Sequence, residues 1–249
     1  MEKVLIVIPA RYGSSRLPGK PLVKIKGIEM IKRVSDIADF VCRKNESCSY
    51  LVATDDERIV LFCESREIPV MMTSTNCKSG TERCYEAVRK QDTNPGLIIN
   101  LQGDNPTCPP WILQDLIDTW RKEKADVLTA SVLLGWSEYD QLLAMKKETP
   151  YSGTTVLVDR LPKSPVRRHV GLYAYSGRAF ESYFSLPPSV YERSYIEGLE
   201  QMRFLENGIK MRVVDVDYRG RETTSGVDSP EDVKRVEEIL EKYGEFDLS

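Results

Sequence analysis

Five apolar residues stand in a row at Val4-Leu5-Ile6-Val7-Ile8, and a turn follows them. A run that short and unbroken predicts a strand buried on both faces. From residue 28 the period changes. Over 28–41 the apolar positions Ile31, Val34, Ile37, Ala38 and Val41 recur every three or four residues, which predicts an amphipathic helix. The two periods then alternate. Strands are predicted at 50–54, 70–73, 97–101 and 127–134, with helices between them at 57–66, 81–90 and 109–122. Further strands follow at 169–175 and 210–216, and a mostly helical pattern over 190–206 stops at Asn207-Gly208. The last helix is predicted at 229–243: Ser229 caps it, Pro230 sits in its first turn, and Glu231 and Asp232 suit its dipole. Such alternation predicts an α/β fold around a mostly parallel sheet flanked by helices.

The chain has 249 residues, which suits one large α/β domain or one domain with a small appendage. A net charge of −3 with no long basic stripe argues against a nucleic-acid partner. Positive charge is placed locally instead, over 11–20 and at Arg167-Arg168. No apolar run approaches the length of a membrane span, and the N-terminus lacks a signal-peptide pattern, so the expected location is the cytoplasm. Cysteines at 42, 48, 63, 77, 84 and 108 form no Cys-x-x-Cys pair, and the chain has a single histidine. That argues against a zinc site and for small core residues and free thiols. There is no repeat and no low-complexity segment. The stretch 146–168, with three prolines and many charges, is the least regular and reads as a lid or a subunit contact.

The chemistry gathers after the first strand. Residues 9–22 read Pro-Ala-Arg-Tyr-Gly-Ser-Ser-Arg-Leu-Pro-Gly-Lys-Pro-Leu. Gly13, Ser14, Ser15 and Gly19 allow backbone N–H groups close to an anion, while Arg11, Arg16 and Lys20 can neutralise phosphate charge. This is neither the Gly-rich dinucleotide fingerprint nor a P-loop. Gln102-Gly103-Asp104 ends a buried strand on the same sheet edge, where Asp104 either caps the next segment or holds Mg²⁺. Ser79-Gly80-Thr81-Glu82-Arg83 reads as a helix cap, Ala53-Thr54-Asp55-Asp56 as a strand end with a cap, and Gly226-Val227-Asp228-Ser229-Pro230 as a helix start. His169, alone, reads as a structural residue. No Ser/His/Asp or Cys/His arrangement is present, so no covalent enzyme intermediate is implied.

Ala-Arg-Tyr-Gly-Ser-Ser-Arg-Leu-Pro-Gly-Lys-Pro-Leu resembles the signature loop of sugar nucleotidyltransferases. More narrowly it is similar to that of the cytidylyltransferases that make CMP-KDO, the activated 3-deoxy-manno-octulosonate (KDO) of lipopolysaccharide. The Ser-Gly-Thr-Glu-Arg, Gln-Gly-Asp, His-Val-Gly-Leu-Tyr, Leu-Glu-Gln-Met-Arg and Gly-Val-Asp-Ser-Pro-Glu-Asp segments resemble further motifs of that family. The resemblance implies a Rossmann-like nucleotidyltransferase sheet and a reaction in which an acceptor oxygen attacks the α-phosphorus of CTP and pyrophosphate leaves. It implies Mg²⁺ held by Asp104 and Asp228, and a catalytic set of Arg11, Arg16, Lys20, Asp104 and Asp228. Nucleotide binding is implied for Ala10, Arg11, Gly13, Ser14, Ser15, Arg16 and Lys20 in the loop. Thr54 and Asp55, Ser79, Gly80 and Arg83, and Gln102 and Asp104 complete it around the base and phosphates. Acceptor binding is implied for Gln102, His169, Tyr173, Glu200 and Gln201, although Glu200-Gln201 alone reads equally as a solvated helix edge. A homodimer is implied in the same way.

Two features depart from the family pattern. Asn105-Pro106 stands where Glu-Pro is usual, which removes any acidic role at 105. The segment after residue 135 is shorter than in the family and lacks its Ala-Leu-Tyr-Phe-Ser-Arg hairpin. The chain is therefore read as one nucleotidyltransferase domain, with 1–135 and 210–243 as nucleotide-binding core and 136–209 as an acceptor-binding and dimerisation subregion. KDO or a close 2-keto-3-deoxy sugar acid is the leading acceptor, a smaller anion such as a phosphonate the alternative. A non-catalytic nucleotide-binding protein of the same fold is the rival reading. Both carboxylates and all three loop cations speak against it.

Overall fold

The computed structural model describes residues 2–14, 16–137, 139–140, 143–144, 155–157, 166–193, 201–222 and 226–249. Strands β1 (Val4–Ala10), β4 (Cys48–Thr54), β5 (Val70–Met72), β6 (Leu97–Asn100), β7 (Val127–Leu133), β9 (Val166–Ser176) and β10 (Met211–Asp215) form one sheet in the order β10-β7-β9-β6-β1-β4-β5, with β8 (Thr155–Leu157) paired to β9. A separate hairpin joins β2 (Lys24–Ile25) to β3 (Ile28–Glu29). Among these pairings β1 with β4 and β6, β4 with β5, and β7 with β10 are parallel. β9 alone reverses, running antiparallel to β6, β7 and β8. The mostly parallel sheet flanked by helices is the expected one.

β1 is an unbroken apolar run because its two faces feed two cores. Val4, Ile6 and Ile8 enter one core with α1 (Met30–Arg43) and α4 (Pro110–Glu123); Leu5 and Val7 enter the other with α3 (Gly80–Arg89). The 28–41 helix starts two residues later than its period predicts. Ile28 and Glu29 are used by the hairpin, whose turn puts Lys26 and Gly27 at φ 49° and 79°. Two successive left-handed residues are what a tight hairpin turn requires. Asp56 caps α2 (Glu57–Glu64), its Oδ1 accepting from the Arg58 N–H at 3.0 Å. The last helix, α5 (Pro230–Tyr243), opens with the expected Ser229 cap, and Asp232 completes a reciprocal capping box. Of the helical stretch expected over 190–206, Val190–Arg193 and Met202–Glu206 are helical and 194–200 lie outside the described residues.

A third, small core matters most for function. Ile25 and Met30 from the hairpin side meet Val227, Val236 and Leu240, and Leu17 and Val233 pack against them. This cluster clamps the loop after β1 onto the segment that leads into α5. Removing these apolar surfaces from water supplies the drive to bring residues 17 and 227 together. No helix among the described residues is long and apolar enough to cross a membrane.

Candidate active site

The parallel strands end on one edge of the sheet, and the predicted motifs lie there. Ala10 closes β1 opposite Thr54 of β4, and both are buried. The loop that follows is tied by Gly19, which sits at φ 69° while its N–H donates to the Tyr12 carbonyl at 3.2 Å. A Cβ at Gly19 would lie 3.0 Å from the Tyr12 hydroxyl. Ser14 Oγ accepts from the Leu17 N–H at 3.2 Å, Arg11 and Gly13 are exposed, and Ser15 lies outside the described residues.

Lys20 is the centre of the site. Its Nζ donates to Asp104 Oδ2 at 2.7 Å and to Asp228 Oδ1 at 3.0 Å. Arg16 reaches the other oxygen of Asp228, Oδ2, at 3.1 Å. The Lys20 side chain is only 15% exposed, whereas that of Arg16 is 68% exposed. Burial acts to lower the Lys20 pKa, but the charges and hydrogen bonds of Asp104 and Asp228 outweigh it and hold the ammonium above its ordinary range. Backbone links fix the two carboxylates: the Val227 N–H donates to the Asp104 carbonyl at 2.8 Å. Gly226 leaves Asp104 its space, since a Cβ there would stand 2.9 Å from Asp104 Oδ1. A Cβ at Gly103 would stand 2.6 Å from the Pro9 carbonyl oxygen, so the strand ends of β1 and β6 approach as closely as backbone allows.

A second cluster lies where β4 and α3 meet. The buried Arg83 donates through Nη2 to Asp55 Oδ2 and through Nη1 to Thr73 Oγ1, both at 2.7 Å. Ser79 is the cap of α3, accepting from the Glu82 N–H at 3.1 Å. Gly80 brings that helix end against β1 and Gln102: a Cβ would lie 3.4 Å from Pro9 Cγ and 3.6 Å from Gln102 Oε1. Gln102 in turn donates to Asn100 Oδ1 at 3.1 Å.

Because β9 is antiparallel, its start shares the edge where β6 and β7 end. Tyr173 is the cross-strand partner of Asn100, and His169 that of Ser131. His169 Nε2 lies 2.9 Å from Thr129 Oγ1. The single hydroxyl proton of Thr129 goes to the Leu172 carbonyl at 2.9 Å, so Nε2–H is the donor to Thr129. Burial pushes the His169 pKa down to about 4. Gln201 is not on a solvated edge: it is buried, and its Nε2 donates to the Tyr175 hydroxyl at 3.3 Å. Glu200 lies outside the described residues.

Thus Arg16, Lys20, Asp104 and Asp228 meet directly, as do Asp55 and Arg83, while the His169 and Tyr173 rings contact each other tilted by 43°, with centres 4.9 Å apart. Sequence reasoning missed Asn100, Thr73 and Thr129, which orient the expected residues. A polar residue ending the apolar run Leu97-Ile98-Ile99 was the available signal for Asn100. It also missed the Arg58 guanidinium stacked 3.3 Å over the Tyr12 ring.

A sequence model of the cytidylyltransferases matches residues 5–211. The 3-deoxy-manno-octulosonate cytidylyltransferase of Maricaulis maris (strain MCS10) is 39% identical, over 98% of this chain and 99% of that protein. The Zea mays protein of the same name is 33% identical over 94% of this chain and 80% of its own length. A solved CMP:2-keto-3-deoxy-manno-octonic acid synthetase, complexed with CTP, superposes with a TM-score of 0.80 at 32% identity, covering 96% of this chain and 99% of its own. A Leptospira borgpetersenii cytidylyltransferase, at 18% identity and TM-score 0.65, shares the fold. By these relationships and by the motifs now seen assembled on one sheet edge, the chain belongs to the cytidylyltransferase family, among its 3-deoxy-manno-octulosonate cytidylyltransferases.

Proposed function

We propose that this chain transfers CMP from CTP to KDO, its anomeric 2-hydroxyl attacking the α-phosphorus in line as pyrophosphate leaves. The observation that carries the reading is the convergence of Asp104 and Asp228 on the Lys20 ammonium, at the strand edge where open α/β sheets bind nucleotides.

Arg11, Arg16 and Lys20 take the charge that develops on the leaving pyrophosphate. The exposed Arg16–Asp228 pair contributes little to folding, so Arg16 can turn to a phosphate at small cost. Ser14 and Gly13 present backbone to the phosphates, with Ala10 and Thr54 as the floor, and Ser15 is assigned to the same loop by its motif. Arg83, held by Asp55, reads the cytosine carbonyl, and Ser79 and Gly80 let the base lie close. Gln102, His169, Tyr173 and Gln201 form the acceptor side, and Glu200 is assigned to it by its motif alone. His169, neutral at physiological pH, serves there as a hydrogen-bonding group rather than a cation.

The residues present fit Mg²⁺. Two carboxylates offer hard oxygens within hydrogen-bond distance of one point, beside a glycine that leaves the space open. Magnesium is commonly held by one or two carboxylates together with substrate phosphates. Bound by Asp104 and Asp228, the ion supplies acidification of the attacking hydroxyl and neutralisation of the α-phosphate.

The working unit we infer is a cytoplasmic homodimer of single-domain chains, with 136–209 as acceptor and dimer subregion and its product serving lipopolysaccharide synthesis. The test is pyrophosphate release with CTP, GTP, ATP or UTP against KDO, related sugar acids and phosphonates. Release confined to CTP with KDO supports the reading. Release with a phosphonate alone relocates the specificity, and CTP binding without release under any condition overturns the catalytic assignment.

A further inference from the structure

We propose that Arg167 is a specificity-determining residue, whose free guanidinium nitrogen binds the carboxylate of the acceptor sugar acid. This rests on the function proposed above and adds a residue to it.

Arg167 sits at the start of β9, opposite Leu133, and His169 two residues on is opposite Ser131. Asp215 at the end of β10 pairs with the same Ser131. Cross-strand partners and residues two apart share a sheet face, so Arg167, His169 and Asp215 lie on one face at the edge that carries the site. The Arg167 side chain is 5% exposed. Its Nε donates to Asp215 Oδ1 at 2.6 Å and its Nη2 to Asp215 Oδ2 at 3.0 Å, a two-point grip that fixes the plane of the guanidinium. Ser131 Oγ donates to the same carboxylate at 3.4 Å.

That grip uses one edge of the guanidinium and leaves Nη1, with two N–H groups, at the opposite corner. Among the described residues this Nη1 is buried and has no acceptor. A buried charged donor without a protein partner is costly, and folded proteins rarely keep one unless water, an ion or a ligand supplies the acceptor. Arginine is matched to carboxylate oxygens by its planar array of donors. In a 2-keto-3-deoxy sugar acid the carboxylate is bonded to the carbon that bears the attacking hydroxyl. A group that reads it must therefore lie on the acceptor side, which the proposed function places at His169, and Arg167 shares the sheet face of His169. Holding the carboxylate there orients the hydroxyl and discriminates against acceptors without an adjacent acid.

The experiment compares the native protein with Arg167→Met and Arg167→Lys. KM is measured for KDO and for CTP, along with inhibition by the 2-deoxy sugar acid, which lacks the attacking hydroxyl, and by its methyl ester. The expected result is a KM for KDO raised about 10- to 100-fold, the size of one charge-assisted hydrogen bond, with KM for CTP changed less than about twofold. The native protein should prefer acid to ester by a similar factor, and Arg167→Met should lose that preference. If Arg167→Met does not fold, the preference is read in Arg167→Lys, whose ammonium keeps the charge but not the second donor nitrogen, and a loss of about tenfold or more is expected. An acid-over-ester preference that survives in the variants, while native turnover is normal, overturns this inference alone, as does a parallel rise in both KM values. A native protein that neither binds the acid nor turns it over overturns the functional reading as well.

Discussion

Lys20 Nζ donates to Asp104 Oδ2 at 2.7 Å, joining residues 84 positions apart in the chain. Asp228 accepts from the same nitrogen. One ammonium thus bridges the two carboxylates proposed as metal ligands, and Arg16 adds a second positive charge at Asp228. An ammonium and a divalent cation compete for the same oxygens. Lys20→Met should therefore bind Mg²⁺ more tightly than the native protein when no nucleotide is present, because Asp104 loses its counter-charge and Asp228 keeps only the exposed Arg16. The check is the rise in thermal midpoint on adding Mg²⁺, larger in the variant. Turnover should nonetheless fall about 100-fold or more, since the same ammonium is lost from the developing pyrophosphate charge.

Gly226 tests the geometry of that centre without removing any of its charges. A Cβ there would press on Asp104 Oδ1 at 2.9 Å. Gly226→Ala should lower kcat about 100-fold, the scale expected when a reacting group is displaced by roughly 1 Å. Circular dichroism and the thermal midpoint should stay near native values.

Asp55 is the charge partner of the buried Arg83. Asp55→Ala leaves that guanidinium buried with Thr73 as its remaining side-chain partner, and should destabilise the fold by about 3–5 kcal/mol, the range for breaking one side of a buried pair. Urea unfolding measures it. CTP affinity, taken at a temperature where the variant is folded, should fall too, because Arg83 loses the group that aims it.

His169 gives a pH prediction with a defined sign. Burial holds its pKa near 4 in the folded chain, below the ordinary 6.5. The unfolded chain therefore takes up this proton first as pH falls. Stability associated with the neutral imidazole is complete above pH 6.5 and is lost between 6.5 and 4, by about 3 kcal/mol. His169→Gln should flatten that part of the stability curve relative to the native protein. The pH profile of turnover should show no inflection from His169 near 6.5.

Much of this was legible in the sequence, because long elements advertise their period. The apolar run at 4–8 and the spacing of Ile31, Val34, Ile37 and Val41 each report burial over several residues. The Lys24–Ile25 and Ile28–Glu29 hairpin was not legible, since two-residue strands are too short to show alternation. Nor was the reversal of β9, because an apolar run carries no sign of strand direction. In the site, the residue types at 16, 20, 104 and 228 were readable from motifs, and the family resemblance paired Asp104 with Asp228, but the ion pairs that Lys20 and Arg16 make with them were not legible. They depend on the small core around Leu17 and Val227, assembled from distant segments. Arg167 stood out only as one of two adjacent arginines; its grip on Asp215 depends on β9 and β10 flanking β7.

The central claim is cytidylyl transfer at the Lys20, Asp104 and Asp228 centre. Its most direct test is the product balance with CTP, KDO and Mg²⁺, followed by phosphorus NMR for the native protein and for Asp104→Asn. The account predicts one pyrophosphate and one CMP–KDO phosphodiester for each CTP consumed, with the rate lost in Asp104→Asn while CTP still binds. Hydrolysis of CTP to free CMP or CDP without a sugar phosphodiester, or an Asp104→Asn variant as active as the native protein, would contradict it.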